Sequence, residues 1–208
     1  ISTMVGNNAD GIVRNLTVVN GQYPAPLIEA NAGDTLFIHV QNQMRDQPVT
    51  IHCHGLLFNK NNSFQDGAAF INQCPIAPQG SYTYEIEIAQ EQFGTYWYHS
   101  HYGSQYADGL FGPLVIHSQE ELEMIDTVYD KDIVVMVNDF YHDVSTSYLD
   151  EYLGPDNENT EPDPVNGLIQ GVNVFDYVES TYLVPNGGSI SDLQYSPVNV
   201  TMLDLDPN

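Results

Sequence analysis

The chain has 208 residues, 42% of them hydrophobic, enough to bury the core of one generous domain or of one and a half smaller ones, which excludes disorder throughout. Lys and Arg number 4 against 28 Asp and Glu, a formal charge of −24, so nucleic acid and anionic membrane are repelled while cations and neutral organic molecules are not. No apolar run approaches the roughly 18 residues of a membrane helix, and Ile1-Ser2-Thr3-Met4 lacks the charged and apolar regions of a signal peptide, so the expected molecule is a mature soluble chain.

In chain order, Asn15-Leu16-Thr17 is the first of three N-glycosylation patterns; the others begin at Asn61 and Asn199. Together with the acidity they favour secretion. Strands are expected at Leu36 to Val40, Val49 to His54, Tyr82 to Ile88 and Leu114 to His117, where β-branched and aromatic residues dominate and several segments alternate with period two. Helical periodicity is confined to a short turn at Glu120 to Met124. Short strands separated by Gly, Pro, Asn and Asp predict an all-β sandwich or barrel over residues 1–125, with its last strand closing near Ser118.

A second unit, 126–208, opens at the strand-like Asp132 to Val137 and continues through a proline-rich acidic loop from Gly154 to Pro164. Further strand-like pieces follow at Val172 to Phe175 and Val198 to Leu203. Its length falls short of the roughly 100 residues a sandwich of this kind needs, so the second domain is expected to be incomplete. The two cysteines, Cys53 and Cys74, permit one disulfide without establishing it.

The chemistry is concentrated in two short patterns, His52-Cys53-His54 and His99-Ser100-His101, the latter inside Thr95-Tyr96-Trp97-Tyr98-His99-Ser100-His101-Tyr102. In a strand, residues i and i+2 share a face, so each pair presents two imidazoles to one side, and two such strands laid together converge four. One pair alone reads equally as hydrogen-bonded or exposed strand histidines. Imidazole suits zinc, copper, iron and nickel. Closed zinc sites usually recruit closely spaced cysteines, and no Cys-x-x-Cys exists here. His39, His117 and His142 stand alone and read as structural histidines.

With Ile51-His52-Cys53-His54-Gly55-Leu56, Asp66-Gly67, Ile71-Asn72-Gln73-Cys74-Pro75-Ile76, Gly94 to His101 and Asp108-Gly109-Leu110-Phe111-Gly112-Pro113-Leu114-Val115-Ile116 taken in order, the chain from about Leu16 to about Asp176 resembles the multicopper oxidases, and among them fungal laccases and their ferroxidase relatives. The resemblance implies cupredoxin-like Greek-key sandwiches, one complete and the start of a second, and a trinuclear copper cluster that reduces dioxygen to water. It implies His52 as a ligand of the type 2 copper, His54 and His99 as ligands of one type 3 copper, and His101 as a ligand of the other. Asp66 matches the family's acidic residue beside the solvent channel and is the expected proton donor; a plain turn aspartate is the alternative, since Asp-Gly favours turns.

The chain departs from the family pattern in lacking the His-Cys-His segment of the type 1 (blue) copper and the C-terminal His-Pro-x-His-x-His motif. The expected molecule is therefore the N-terminal portion of a secreted oxidase, as a fragment or as a processed subunit whose remainder travels as a separate chain. Cys74 matches a laccase cysteine that bonds near the far C-terminus; a Cys53–Cys74 bond is the competing possibility. Phenols or aromatic amines are the first choice of reducing substrate. Iron(II) is the runner-up, with Asp176 or Asp204 as a carboxylate for a hard cation. The contrasting reading is a metal-binding β-sandwich without catalysis.

Overall fold

The structure is a computed structural model, and it describes residues 1–6, 9–59, 62–128, 131–158 and 160–173. Asn61, Asn199, Asp176, Asp204 and the expected strand at Val198 to Leu203 lie outside these residues. Among the described residues two compact units emerge: Ile1–Met4 with Leu16–Val134, and Val5–Asn15 with residues 135–173. The sequence alone places the change at 125/126 and gives no sign that Val5–Asn15 joins the later unit.

Strands β1 (Ser2–Gly6) and β2 (Arg14–Val18) pair with each other. In the first unit, β3 (Ile28–Asn31), β4 (Thr35–Gln41), β5 (Ile51–His54), β6 (Ser81–Glu87), β7 (Gly94–Ser100) and β8 (Phe111–His117) form two sheets. One is four-stranded, in the order β3-β8-β7-β5; the other is the antiparallel pair β4-β6, running in register from Thr35 opposite Glu87 to Gln41 opposite Ser81. Strand β6 alternates apolar and polar along Tyr82-Thr83-Tyr84-Glu85-Ile86-Glu87, and β4 alternates in burial along Thr35 to Val40 with the apolar Phe37 on its exposed face, so each buries one face only. Those faces supply Val40, Tyr84 and Ile86 to a core completed by Ile51, Cys53, Tyr98, Leu114 and Ile116 of the larger sheet.

Strand β8 lies between β3 and β7 and is buried from Phe111 through Ile116, which explains its unbroken apolar run. At its entry, Gly109 has φ +114°, and a Cβ there would stand 2.9 Å from the Thr17 carbonyl oxygen, so the Asp108-Gly109 turn requires glycine. The helix α1 (Gln119–Val128) is longer than the single turn expected from the sequence.

In the second unit, β9 (Val137–Phe140) starts later than the apolar run from Asp132 suggests. Its antiparallel partner β10 (Asn166–Ile169) sets the limit, since Ile169 pairs with Val137 and residues 131–136 have no regular structure. A short helix, α2 (Leu149–Tyr152), precedes the acidic proline-rich loop. The unit is tied together by a buried polar node. His142 Nε2 lies 2.7 Å from Asp10 Oδ2, Asn166 donates to the same oxygen at 3.1 Å, and Ile12 N–H donates to Oδ1 at 3.2 Å. The Arg14 guanidinium packs over the Phe140 ring and donates to the Tyr141 carbonyl. His142 is thus a structural histidine. So are His39, hydrogen-bonded to the Thr83 hydroxyl at 2.8 Å, and His117, flanked by Glu29 at 3.2 Å and Glu121 at 3.4 Å.

Candidate metal centre

The two histidine pairs are brought together by the antiparallel pairing of β5 with β7. His52 stands directly opposite His99, and His54 opposite Trp97. His101 lies just past β7, but its N–H donates to the Thr50 carbonyl at 3.2 Å, so the ladder continues and His101 keeps the face of His99. The intervening residues Ile51, Cys53, Tyr98 and Ser100 point the other way and are buried. Alternation thus gives one sheet two functions, with imidazoles on one face and core on the other.

The four rings form a tight group. His52 is 5.4 Å from His54, 5.3 Å from His99 and 5.4 Å from His101, centroid to centroid; His99 is 5.9 Å from His101 and 5.6 Å from His54. His99 is buried, His52 partly so, and His54 and His101 are exposed. Nitrogen atoms of His52, His54 and His99 all lie within 4.8 Å of one another.

Hydrogen bonds select which nitrogen of each ring faces the group. His52 Nδ1 donates to the Asp66 carbonyl at 2.7 Å and lies 3.1 Å from its Oδ1. His99 Nδ1 donates to the Ser100 carbonyl at 2.8 Å. In both rings Nε2 therefore keeps the lone pair. His54 Nδ1 then approaches His99 Nε2 to 3.4 Å. Two nitrogens each about 2.0–2.1 Å from one ion, set at a tetrahedral angle, stand ~3.3 Å apart, so this donor set fits a shared transition metal. Burial pushes the His99 imidazole down to about 4; the Ser100 hydrogen bond opposes this, and His52, His101 and His54 reinforce it. At neutral pH His99 is uncharged, the state a metal ligand needs.

Asp66 reaches the site through a turn that only glycine can complete. Gly67 has φ +84°, and a Cβ there would lie 2.0 Å from the Ile51 carbonyl oxygen, so the Asp66-Gly67 turn presses on the backbone of β5. Asn72 donates to Asp66 Oδ2 at 3.4 Å and to the Ser63 carbonyl at 2.8 Å, bracing the turn from outside. The hold of Asp66 on His52 was not evident in the sequence, because it runs through a main-chain oxygen. A stacking partner was also missed: the Trp97 ring lies 4.1 Å from His99 at 24° and 5.1 Å from His54 at 26°. Its only advance signal was its place two residues before His99.

Neither cysteine joins the site. Both are free thiols, Cys53 buried and Cys74 exposed, so the Cys53–Cys74 bond is absent. Burial first, and then the Asp66 charge, push the Cys53 thiol up to about 12. Cys53 is therefore expected to resist alkylation by iodoacetamide at pH 8 in the native protein and to react once denaturant is added; peptide mapping that finds native labelling at Cys53 would contradict its inward orientation.

Comparison with known proteins places these features in a family. The family model described as multicopper oxidase matches residues 2–121, a span holding all four clustered histidines and Asp66. Laccase-1 of Thanatephorus cucumeris is 45% identical over 172 residues, covering 80% of this chain and 29% of that protein. The iron transport multicopper oxidase FET3 of Gibberella zeae is 36% identical over 181 residues, covering 85% of this chain and 28% of that protein. The crystal structure of the laccase from Botrytis aclada superposes with a TM-score of 0.68 at 37% identity, over 89% of this chain and 32% of that one. The chain thus spans less than a third of the length of these relatives. With the matched region over half of the chain and the cupredoxin-like sandwich shared with a solved laccase, the chain belongs to the multicopper oxidase family.

Proposed function

We propose that the chain is the N-terminal portion of a secreted, laccase-like oxidase that couples one-electron oxidation of phenols or aromatic amines to the four-electron reduction of dioxygen to water. The observation that carries this reading is the convergence of four imidazoles on one sheet face, with His54 Nδ1 only 3.4 Å from His99 Nε2. His52 is assigned to the type 2 copper, His54 and His99 to one type 3 copper and His101 to the other. Copper bound there supplies one-electron carriers and a Lewis acid for dioxygen.

The chain's own residues do the rest. The Asp66 carbonyl and the Ser100 carbonyl fix the tautomers of His52 and His99 before any ion arrives. Trp97 and Tyr106, whose ring is 5.6 Å from that of His99, cover the buried imidazole and limit water at its faces. The Asp66 carboxyl, 3.1 Å from His52 Nδ1 and about one-third exposed, joins the site to solvent and serves as the proton donor that water formation consumes. The remaining ligands and the blue copper belong to the C-terminal remainder of the polypeptide. Secretion is supported by the exposed Asn15 of the Asn15-Leu16-Thr17 pattern and by the net acidity.

Iron(II) is the second reading for the reducing substrate, favoured by the 36% identity to an iron transport oxidase. Dioxygen uptake by the complete oxidase with a phenol and with iron(II) separates the two. Efficient phenol turnover is expected; strong preference for iron(II) with negligible phenol oxidation would transfer the protein to the ferroxidases. Metal analysis that finds zinc without copper would overturn both and leave a non-catalytic metal-binding sandwich.

A further inference from the structure

The three histidines nearest one another differ in how they are held. His52 is fixed by Asp66, and His99 by the Ser100 carbonyl. His54 is the last residue of β5 and is exposed; among the described residues its ring has one hydrogen-bonding neighbour, His99 itself. A metal ligand without an outer partner is free to rotate about its side-chain bonds, which lowers affinity because that freedom is lost on binding. Something else must restrain it.

Trp97 is in position to do so. It pairs directly with His54 across the β5-β7 ladder and precedes His99 by two residues on the same face, so a single indole reaches both imidazoles. Both stacks are close to parallel, at 26° with His54 and 24° with His99. Tyr106 meets the indole edge-on at 6.5 Å and limits its motion in turn. Nearly parallel stacking sets ring plane as well as ring position, and it does so without consuming either nitrogen of His54.

We infer that Trp97 is a positioning residue for the metal centre, a flat plate that orients the His54 and His99 rings as a pair and substitutes for the outer hydrogen bond His54 lacks. Outer partners of metal-bound histidines are worth about 10–100-fold in metal affinity, and the plate takes that role for His54. The requirement is for a flat ring of this height above the sheet. Hydrogen bonding by the indole N–H is not needed, so phenylalanine should replace it in function and leucine, though bulky, should not.

The inference rests on the copper-binding reading of the four histidines, and the test keeps the two separable. Copper content and the rate of copper loss to a chelator are measured on the complete oxidase, with the electron paramagnetic resonance spectrum of the cluster and the thermal midpoint recorded for wild type, Trp97→Phe and Trp97→Leu. The leucine variant is expected to lose cluster copper about tenfold faster, with an altered cupric signal, while the phenylalanine variant stays within about threefold of wild type. Equal copper retention in wild type and Trp97→Leu would overturn the inference, and so would equal defects in both variants accompanied by a lowered thermal midpoint, the mark of lost packing alone. Should Trp97→Leu not fold, Trp97→Phe decides: wild-type copper retention and spectrum support the plate, and loss of copper refutes it. If the wild type itself binds no copper at these histidines, the underlying reading fails instead.

Discussion

Replacing His99 by alanine in the complete oxidase is expected to stop dioxygen reduction and to release cluster copper. Of the four clustered imidazoles it is the buried one, and it stands opposite His52 while directing Nε2 to within 3.4 Å of His54 Nδ1. Alanine removes a donor from the centre of the group and leaves a hole beneath Trp97. The loss in turnover should exceed the ~10–100-fold attached to outer partners of metal ligands, because a ligand itself is gone. Anaerobic reduction of the blue copper by substrate should persist, since the proposed oxidase takes up electrons at its blue copper and not at this cluster. Dioxygen uptake at the wild-type rate would refute the assignment of His99.

The second large effect is expected at Asp66, and its geometry makes the experiment unusually clean. His52 Nδ1 is held by the Asp66 main-chain carbonyl at 2.7 Å, which no side-chain substitution removes, while the carboxylate is a second partner at 3.1 Å. Asp66→Asn therefore keeps the His52 tautomer and the turn over Gly67, and deletes only the group that can release a proton. Copper should be retained and turnover should fall by roughly 100-fold, the low end of the worth of a positioned proton donor. The deficit should widen as pH rises and solvent supplies fewer protons. Loss of copper in Asp66→Asn would make the carboxylate a structural anchor of His52.

Much of this was legible before any coordinates. Period two put His52 with His54 and His99 with His101 on common faces, and β-branched runs marked β4 and β6 to within one residue and β8 to within three. What alternation cannot supply is register between strands. That His52 meets His99 and His54 meets Trp97 depends on the β5-β7 ladder, and a shift of one residue would have turned Cys53 outward and buried an imidazole. For the same reason the sequence left Trp97 open between ordinary core and a residue that stiffens the histidine strand and excludes water, and its stacking on His54 became visible only with the ladder. The hold on His52 escaped notice because it comes from a carbonyl, which every residue possesses. In the second unit the start of β9 was misplaced, since the apolar run from Asp132 satisfies strand propensity and only pairing with β10 decides where the strand begins.

The node around Asp10 carries a consequence for how the molecule is made. Asp10 and His142 are 132 residues apart, so the segment Val5–Asn15 leaves the ribosome long before the strands it completes. At synthesis rates of about 5–20 residues per second, the Asp10 carboxylate waits roughly ten seconds for its imidazole. During that interval the first sandwich can close locally, whereas the buried node of the later unit cannot form. Contacts of such long range are slow to form and are exposed to wrong partners while they wait. The segment Val5–Asn15 is thus made early relative to its partners and locked in place late, and deleting it would damage the later unit.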